Sequence, residues 1–443
     1  MNVLSIKPGY LFLLKTNNNS IKLTSNSTFW NDLKFELGSH RKFSDDQDSV
    51  SFLKNNLYNI NAQILSNKGK KGIALSCGLD STLILKVSEK INTEYSALCL
   101  SNSFSACSTN NKYSEKYWMD ESLKNSRLNS HFIFPEGNDV MQKTEALVYQ
   151  LDEPYHSQRP LLSSLFYEEA AKQKNQFVLN GTAADALLDN TTLKKFNFLY
   201  QDLINFRILP LFKKFIHYKN KKLFLKLLLK KATGISLLQF VDNLKMKNKW
   251  GAIINFSKLG STDSRANQIP DLSSPITFIN YFLYRPVQSF INNAEKCGQM
   301  HGVEVYFPFV NFELVKYFSQ PSRIYDDSNG DYKKLLKLVF TDIIPERILN
   351  RKEKGHFTTA EESWFLETNR EEFIEFFKKY VPFSKGIIKE KGAIDYLTGM
   401  QSGKIPFNTA YWRLICFCVW MKVFDVQVSE KPKRKQSFNQ NKL

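Results

Sequence analysis

The run Lys70 to Ile91, KKGIALSCGLDSTLILKVSEKI, limits the fold of this chain more than any other stretch. Gly72-Ile73-Ala74-Leu75 is a short apolar quartet of the kind that forms a buried strand. Ser76 to Asp80 is a loop of mainly small residues, and Ser81 to Ile91 places apolar residues at helical spacing. A strand that runs through a tight turn into an amphipathic helix is the unit from which parallel sheets are built, and such sheets need cover on both faces. Further strands are predicted at Tyr95–Leu100, at His131–Phe134 and at Phe177-Val178-Leu179, the last ending in Asn180-Gly181. The expected class is α/β, with a parallel-sheet core.

The flanks read differently. Residues 1–30 alternate apolar and polar around Lys7-Pro8-Gly9, which predicts a short hairpin. Val50, Phe52, Leu53, Leu57, Ile60 and Ile64 recur at helical spacing and predict a helix over 48–65. From about residue 192 the chain becomes apolar and basic, with helix expected to dominate to the end. Two readings of the basic helical stretch at 192–232 stand side by side: solvated lysine faces, or a surface that grips an anionic partner. Residues 426–443 form a polar, basic tail expected to lack structure.

Composition narrows the class. The 443 residues carry 61 Lys+Arg against 43 Asp+Glu, a formal charge of +18, and 42% are hydrophobic. That is enough apolar material for packed cores, and a charge that favours anionic partners. Six cysteines without a Cys-x-x-Cys pair argue against a disulfide framework or a zinc ribbon. No signal peptide or membrane span is read from the apolar runs, so a soluble cytoplasmic protein is expected.

The chemistry is concentrated at two strand ends. Backbone N–H groups in Ser76-Cys77-Gly78-Leu79-Asp80-Ser81 and the positive end of the following helix suit phosphate oxygens. Asp80 at the loop–helix junction suits Mg²⁺. The loop lacks the GxxxxGK[ST] pattern and its lysine. About a hundred residues on, Asn180-Gly181-Thr182-Ala183-Ala184 ends another strand and is followed by Asp185. Two strand-end loops, each with an aspartate, are what joint coordination of one metal–pyrophosphate unit requires.

These segments resemble the synthetase domain of the asparagine synthase superfamily. Ser76–Ser81 matches its SGGxDS pyrophosphate loop, with Cys77 in place of the first glycine. Leu151-Asp152-Glu153-Pro154 matches its DEP segment, and Asn180–Asp185 its SGEGADE loop. Val303–Phe309 matches xEVRxPF, and Ile344–Arg351 with Lys352–Phe357 matches its P..il.RxKxGF segment. The resemblance implies a nucleotide-binding core of the adenine nucleotide alpha hydrolase type with a large helical C-terminal part. It divides the chain into residues 1–65, a synthetase domain over 66–425 with a helical insertion at about 192–260, and the tail.

The resemblance also implies a reaction: ATP adenylates a carboxylate, pyrophosphate leaves, and ammonia or an amine forms an amide. ATP and Mg²⁺ are the implied cofactors. Asp80 and Asp185 would hold the metal, Ser76, Gly78 and Ser81 the pyrophosphate, and Ala74, Leu75, Asn180 and Gly181 the nucleotide. Lys354 would face the α-phosphate, with Lys352 the competing candidate, because the segment has an extra residue before Phe357. Thr182 and Ala186 replace the two acidic residues of the family loop, so Glu304 is nominated as the catalytic acid, with Tyr306 or Tyr284 as partner. Tyr306 and Asn311 stand where the family has Arg and Asp.

No cysteine precedes Cys77, so no glutaminase is expected within residues 1–65. The amine is expected to be free ammonia, ammonia from a separate source, or an amine on the substrate itself. The last option is that of the β-lactam synthetases and the lasso-peptide macrolactam synthetases, the latter acting on a precursor-peptide partner. A small-molecule or peptide carboxylate is the expected substrate, with nucleic acid not favoured. A tRNA-modifying pyrophosphate-loop enzyme and a degenerate nucleotide-binding protein are the alternatives.

Overall fold

The structure, a computed structural model, describes residues 10–17, 20–28, 46–76, 78–94, 100–106, 116–184, 206, 250–258, 286–319, 334–351 and 360–428. Strands β1 (Tyr10–Asn17) and β2 (Ser20–Thr28) form an antiparallel pair. Asn17 pairs with Ser20, so the chain reverses across two residues, Asn18 and Asn19. The reversal is therefore ten residues beyond Lys7-Pro8-Gly9, which precedes β1. Proline removes a ladder donor, so Lys7-Pro8-Gly9 marks the boundary before β1 rather than the reversal within the pair.

The core is a five-stranded sheet of β3 (Lys71–Ala74), β4 (Asn102–Ala106), β5 (Asn129–Ile133), β6 (Phe177–Asn180) and β7 (Glu304–Tyr306). The order is β5-β4-β3-β6-β7, and every pairing is parallel. Both faces of β3 are covered. Ile73 and Leu75 enter one hydrophobic core, with α1 (Asp46–Ser66) and α2 (Leu79–Glu94), while Ala74 enters another with Phe104 and Val178. The second core also holds α4 (Gly137–Leu151) and α5 (Arg159–Lys172), which follow the short α3 (Lys116–Ser122). Continuous burial along β3 is the expected signature of a central parallel strand.

The expected strand at Tyr95–Leu100 is displaced. Tyr95–Cys99 lie outside the described residues, Leu100 is buried but not extended into the sheet, and β4 begins at Asn102. Its sequence, Asn-Ser-Phe-Ser-Ala, hides the strand because polar residues fill buried positions, two of them with partners across the ladder. Ser103 Oγ donates to Ser130 Oγ at 3.1 Å, and His131 Nε2 meets Asn102 Oδ1 at 3.4 Å. β7 adds an edge strand that hydrophobic pattern does not reveal.

Apart from β7, the regular elements described in the C-terminal half are helical. It comprises α6 (Pro286–Met300), α7 (Phe312–Ser319), α8 (Lys334–Val339), α9 (Glu346–Leu349), α10 (Ala360–Ser363), α11 (Arg370–Tyr380), α12 (Glu390–Gln401) and α13 (Ala410–Val423). Most of the stretch 192–260 lies outside the described residues. Cys416 and Cys418 are buried in α13 among aromatic residues, as their apolar setting predicts. Among the described residues no helix is long and apolar enough to cross a membrane.

A buried polar tie fastens this helical part to the sheet layer. Glu361 Oε1 accepts the Gln158 backbone N–H at 2.7 Å, and Gln158 Nε2 donates to the Tyr411 hydroxyl at 2.9 Å. Burial pushes the Glu361 carboxyl up to about 7, opposed by the Gln158 N–H bond and by the charge of Arg159.

Two predictions follow from this packing. A Cβ on Gly72 would stand 2.6 Å from the Phe104 ring and 3.3 Å from the Asn102 carbonyl. Gly72→Ala should cost about 1–3 kcal/mol of stability, and a double-mutant cycle with Phe104→Leu should show favourable coupling. Urea unfolding measures both. Folded Glu361 binds its proton more tightly than the unfolded group, whose ordinary value is 4.5. Its contribution to stability is therefore complete below pH 4.5 and is lost as pH rises through 7, by about 3 kcal/mol in all. Glu361→Gln keeps an acceptor for Gln158, so it should remove that slope and be the more stable protein at pH 8.

Candidate functional site

The sheet order places the site. From β3 the chain steps to β4 and β5 on one side, then returns to β6 on the other side. The connections after β3 and β6 therefore diverge, and ligands of open α/β sheets bind in the crevice at such a point, outside the carboxyl ends of the strands. The loop Ser76–Asp80 leaves β3 there, and Gly181–Ala184 leaves β6 beside it.

The first loop is shaped by its serines. Leu75 N–H donates to the Phe104 carbonyl at 2.8 Å, continuing the ladder to the edge of the loop. Ser81 Oγ donates to the Ser76 carbonyl at 2.6 Å and accepts the Ser76 N–H at 3.1 Å. Ser81 is buried, so its hydroxyl closes the loop onto the first turn of α2. Ser76 Oγ lies 3.0 Å from Ser81 Oγ and accepts the Gly78 N–H at 3.4 Å. Thr82 Oγ1 donates to the Gly78 carbonyl at 3.0 Å and is 2.9 Å from Ser122 Oγ on α3, which ties the loop to a third element. Asp80 stands in the first turn of α2, where the helix dipole favours an anion. Cys77 lies outside the described residues.

The second loop is an Asx turn. Asn180 Oδ1 accepts the Thr182 N–H at 2.9 Å and the Thr182 hydroxyl at 2.7 Å, while Asn180 Nδ2 donates to the Tyr167 hydroxyl at 3.0 Å. Tyr167 is fully buried on α5, so the loop is held by a fixed side chain. Burial pushes the Tyr167 hydroxyl well above its ordinary value, keeping it neutral as a partner for the amide. Ala183 takes a left-handed backbone, φ 83°, which costs energy in a non-glycine residue and turns the chain sharply.

The two loops touch. A Cβ on Gly181 would stand 3.2 Å from the Ser81 nitrogen and 3.4 Å from the Asp80 Cβ. The space above Gly181 is thus a small cradle with the first turn of α2 as one wall. Ala74, Leu75, Ser76, Gly78, Asp80, Ser81, Asn180 and Gly181 are gathered at this one end of the sheet. Asp185 follows the second loop but lies outside the described residues, as do Lys352 and Lys354 in 352–359 and Tyr284.

Glu304 is not brought to the loops. It pairs with Phe177 at the start of β6, three residues before Asn180, or about 10 Å along the strand. Its neighbour is Tyr306, whose ring packs on Phe177 and whose hydroxyl accepts the Asn67 amide at 3.1 Å. A motif gives the residue types around a strand but not its axial level, which is why Glu304 reads as a site residue in sequence. Tyr167 was missed for the complementary reason: its pairing with Asn180 is visible only once α5 lies against β6.

The remaining site features lie around the approach to 352–359. Arg347 donates to the Tyr117 hydroxyl at 2.7 Å and to Glu121 at 3.2 Å, and the Arg351 guanidinium lies 4.5 Å from the centre of the Trp118 ring. Both aromatics belong to α3, the helix joined to the first loop through Ser122.

No curated protein matches the chain. The family model described as asparagine synthase matches residues 57–422, from within α1 to within α13, a stretch that includes β3 to β7 and both loops. The chain belongs to the asparagine synthase family, ATP-dependent amide-forming synthetases of the ligase type.

Proposed function

We propose that the chain adenylates a substrate carboxylate with ATP, releases pyrophosphate, and passes the acyl group to ammonia or an amine to form an amide. The observation that carries this reading is the contact of the two loops at the switch point, with Gly181 against Ser81 and Asp80. A carboxylate is a poor electrophile and its adenylate a good one, so the demand on the protein is to stabilise the departing pyrophosphate.

The residues present suit that demand. The Ser81 hydroxyl and the Ser76 hydroxyl hold the loop closed by taking the Ser76 and Gly78 N–H groups, and the N-terminus of α2 that this loop leads into supplies N–H donors and a positive field. Asp80 and Asp185 are the carboxylates that would hold Mg²⁺, hard oxygen ligands at the ends of neighbouring loops. Mg²⁺ when bound neutralises charge on the phosphate oxygens. Gly181 leaves room for the nucleotide to approach the backbone, and Ala74, Leu75 and Asn180 border it. Lys354 is assigned to the α-phosphate, where charge builds as the adenylate forms and collapses. Glu304 is left out of the reacting group because of its level in β7.

Two expected outcomes test the reading. Asp80→Asn and Asp185→Asn should each lower ATP–pyrophosphate exchange by a hundredfold or more, about 3 kcal/mol at the transition state. Circular dichroism should be unchanged, since Asn is close in size and shape to Asp, and full activity in both variants would remove the metal–pyrophosphate assignment. Lys354→Ala should lower kcat with little change in ATP affinity, because a cation at that phosphate acts mainly in the transition state. Lys352→Ala should be mild; a severe Lys352→Ala would move the role by two positions.

A further inference from the structure

The second loop hangs on one side-chain amide, and Thr182 dictates which way that amide faces. The Thr182 backbone N–H can only donate, so the atom that meets it at 2.9 Å is the Asn180 carbonyl oxygen, Oδ1. The Thr182 hydroxyl donates to the same oxygen at 2.7 Å. The amide nitrogen is thereby turned toward α5, where the Tyr167 hydroxyl accepts its N–H at 3.0 Å. Turned over, the amide would set its nitrogen against the Thr182 N–H, donor against donor.

Tyr167 is a fixed acceptor. Its ring is fully buried in the core that holds Val178 of β6, Cys297 of α6 and Val305 of β7, so packing places the ring whether or not it carries a hydroxyl. Burial also keeps that hydroxyl neutral. The oxygen at the tip of the ring therefore stands at one point in space, and the Asn180 amide is drawn to it.

The loop needs such a hold. Gly181, between Asn180 and Thr182, gives the backbone little preference of its own, and the Asx turn that spans it supplies the restriction. Ala183 takes a left-handed backbone, φ 83°, a conformation an alanine keeps only where its surroundings impose it. Gly181 stands against Ser81 and Asp80, so any shift of the second loop is felt at the first. An Asn180 amide without its partner on α5 would have an unmet N–H and freedom to swing, and the turn at Thr182 would loosen with it.

We propose that Tyr167 is a positioning residue for the nucleotide site: its hydroxyl, acting through the Asn180 amide, holds the second loop in the form that receives the nucleotide. The proposal rests on the adenylation reading for the identity of the ligand. The hold itself is built into the chain without one, so it is measurable with the site empty.

Tyr167→Phe, Asn180→Ala and the double variant of the full chain are compared with the wild type in two measurements. The first is hydrogen–deuterium exchange without nucleotide, resolved to the Thr182 amide, with Val178 and Leu179 of β6 as the internal reference. Tyr167→Phe should speed exchange at Thr182 at least about tenfold and leave the two reference amides within about twofold. The second is calorimetric titration with Mg–α,β-methylene-ATP. Its affinity should fall at least about tenfold in Tyr167→Phe, because a loop competent only part of the time lowers apparent affinity by that fraction. In the Asn180→Ala background, Tyr167→Phe should change either readout by less than about twofold, since the hydroxyl acts through the amide. Unchanged exchange at Thr182 overturns the proposal, as does an undiminished Tyr167→Phe effect in the Asn180→Ala background. Exchange raised equally along β6 also overturns it, because Tyr167 would then serve stability alone, as does faster exchange at Thr182 with analogue affinity unchanged. If the wild-type chain binds no analogue while the exchange pattern holds, the adenylation reading falls and the hold of Tyr167 on the loop stands.

Discussion

At Gly181 one added carbon would meet the Ser81 nitrogen at 3.2 Å, and that close approach ties the two ends of the central strands into one unit. β3 and β6 pair in register from Lys71–Phe177 to Ala74–Asn180, so their loops start level with one another. Ser81 then folds the first loop back on itself, and Asn180 folds the second. The cradle between them follows from strand register, a bare glycine and two side-chain hydrogen bonds, all of which exist before any ligand arrives. Preorganisation of that kind is what lets backbone donors stabilise developing charge at no cost in reorganisation.

The support of the cradle spreads outward through buried groups. Tyr167 carries the second loop to α5, and Thr82 with Ser122 carries the first loop to α3. α3 in turn receives Arg347 and Arg351, and the N-cap of α5 is fastened to α10 and α13 through Glu361 and Tyr411. The helical C-terminal part therefore bears on the site from two sides. A buried carboxyl in such a tie costs stability when ionised, so Glu361 is a group whose presence packing alone does not favour.

What the sequence made legible was the part whose apolar pattern and loop chemistry coincide. Gly72–Leu75 and Phe177–Leu179 are apolar runs that end in small residues, and both are central strands with the expected loops. β4 escaped because Asn102, Ser103 and Ser105 are buried polar residues, which no hydrophobic periodicity can mark. β7 escaped because three residues with Glu304 and Tyr306 outside and Val305 inside give too short a pattern. Glu304 was placed by motif alone, and the register with Phe177 shows it three residues short of the loop. Partners such as Gln158 with Glu361 and Tyr411 join segments more than two hundred residues apart, and a linear pattern carries no record of that.

The direction of α5 links these observations to chemistry. A crossover helix between parallel strands must run against them, so its N-terminus and that of α2, the helix after β3, both face the loop end of the sheet. Two helix N-termini raise the positive potential over one crevice, and nothing in the first loop supplies the lysine that other phosphate loops use. Among the described residues, Arg159 at the start of α5 and Arg413 of α13 put positive charge near the N-terminus of α5. Asp80 would be repelled by a polyphosphate in such a site unless a cation lay between them, so an acid in a field otherwise arranged for anions is itself an argument for Mg²⁺ there.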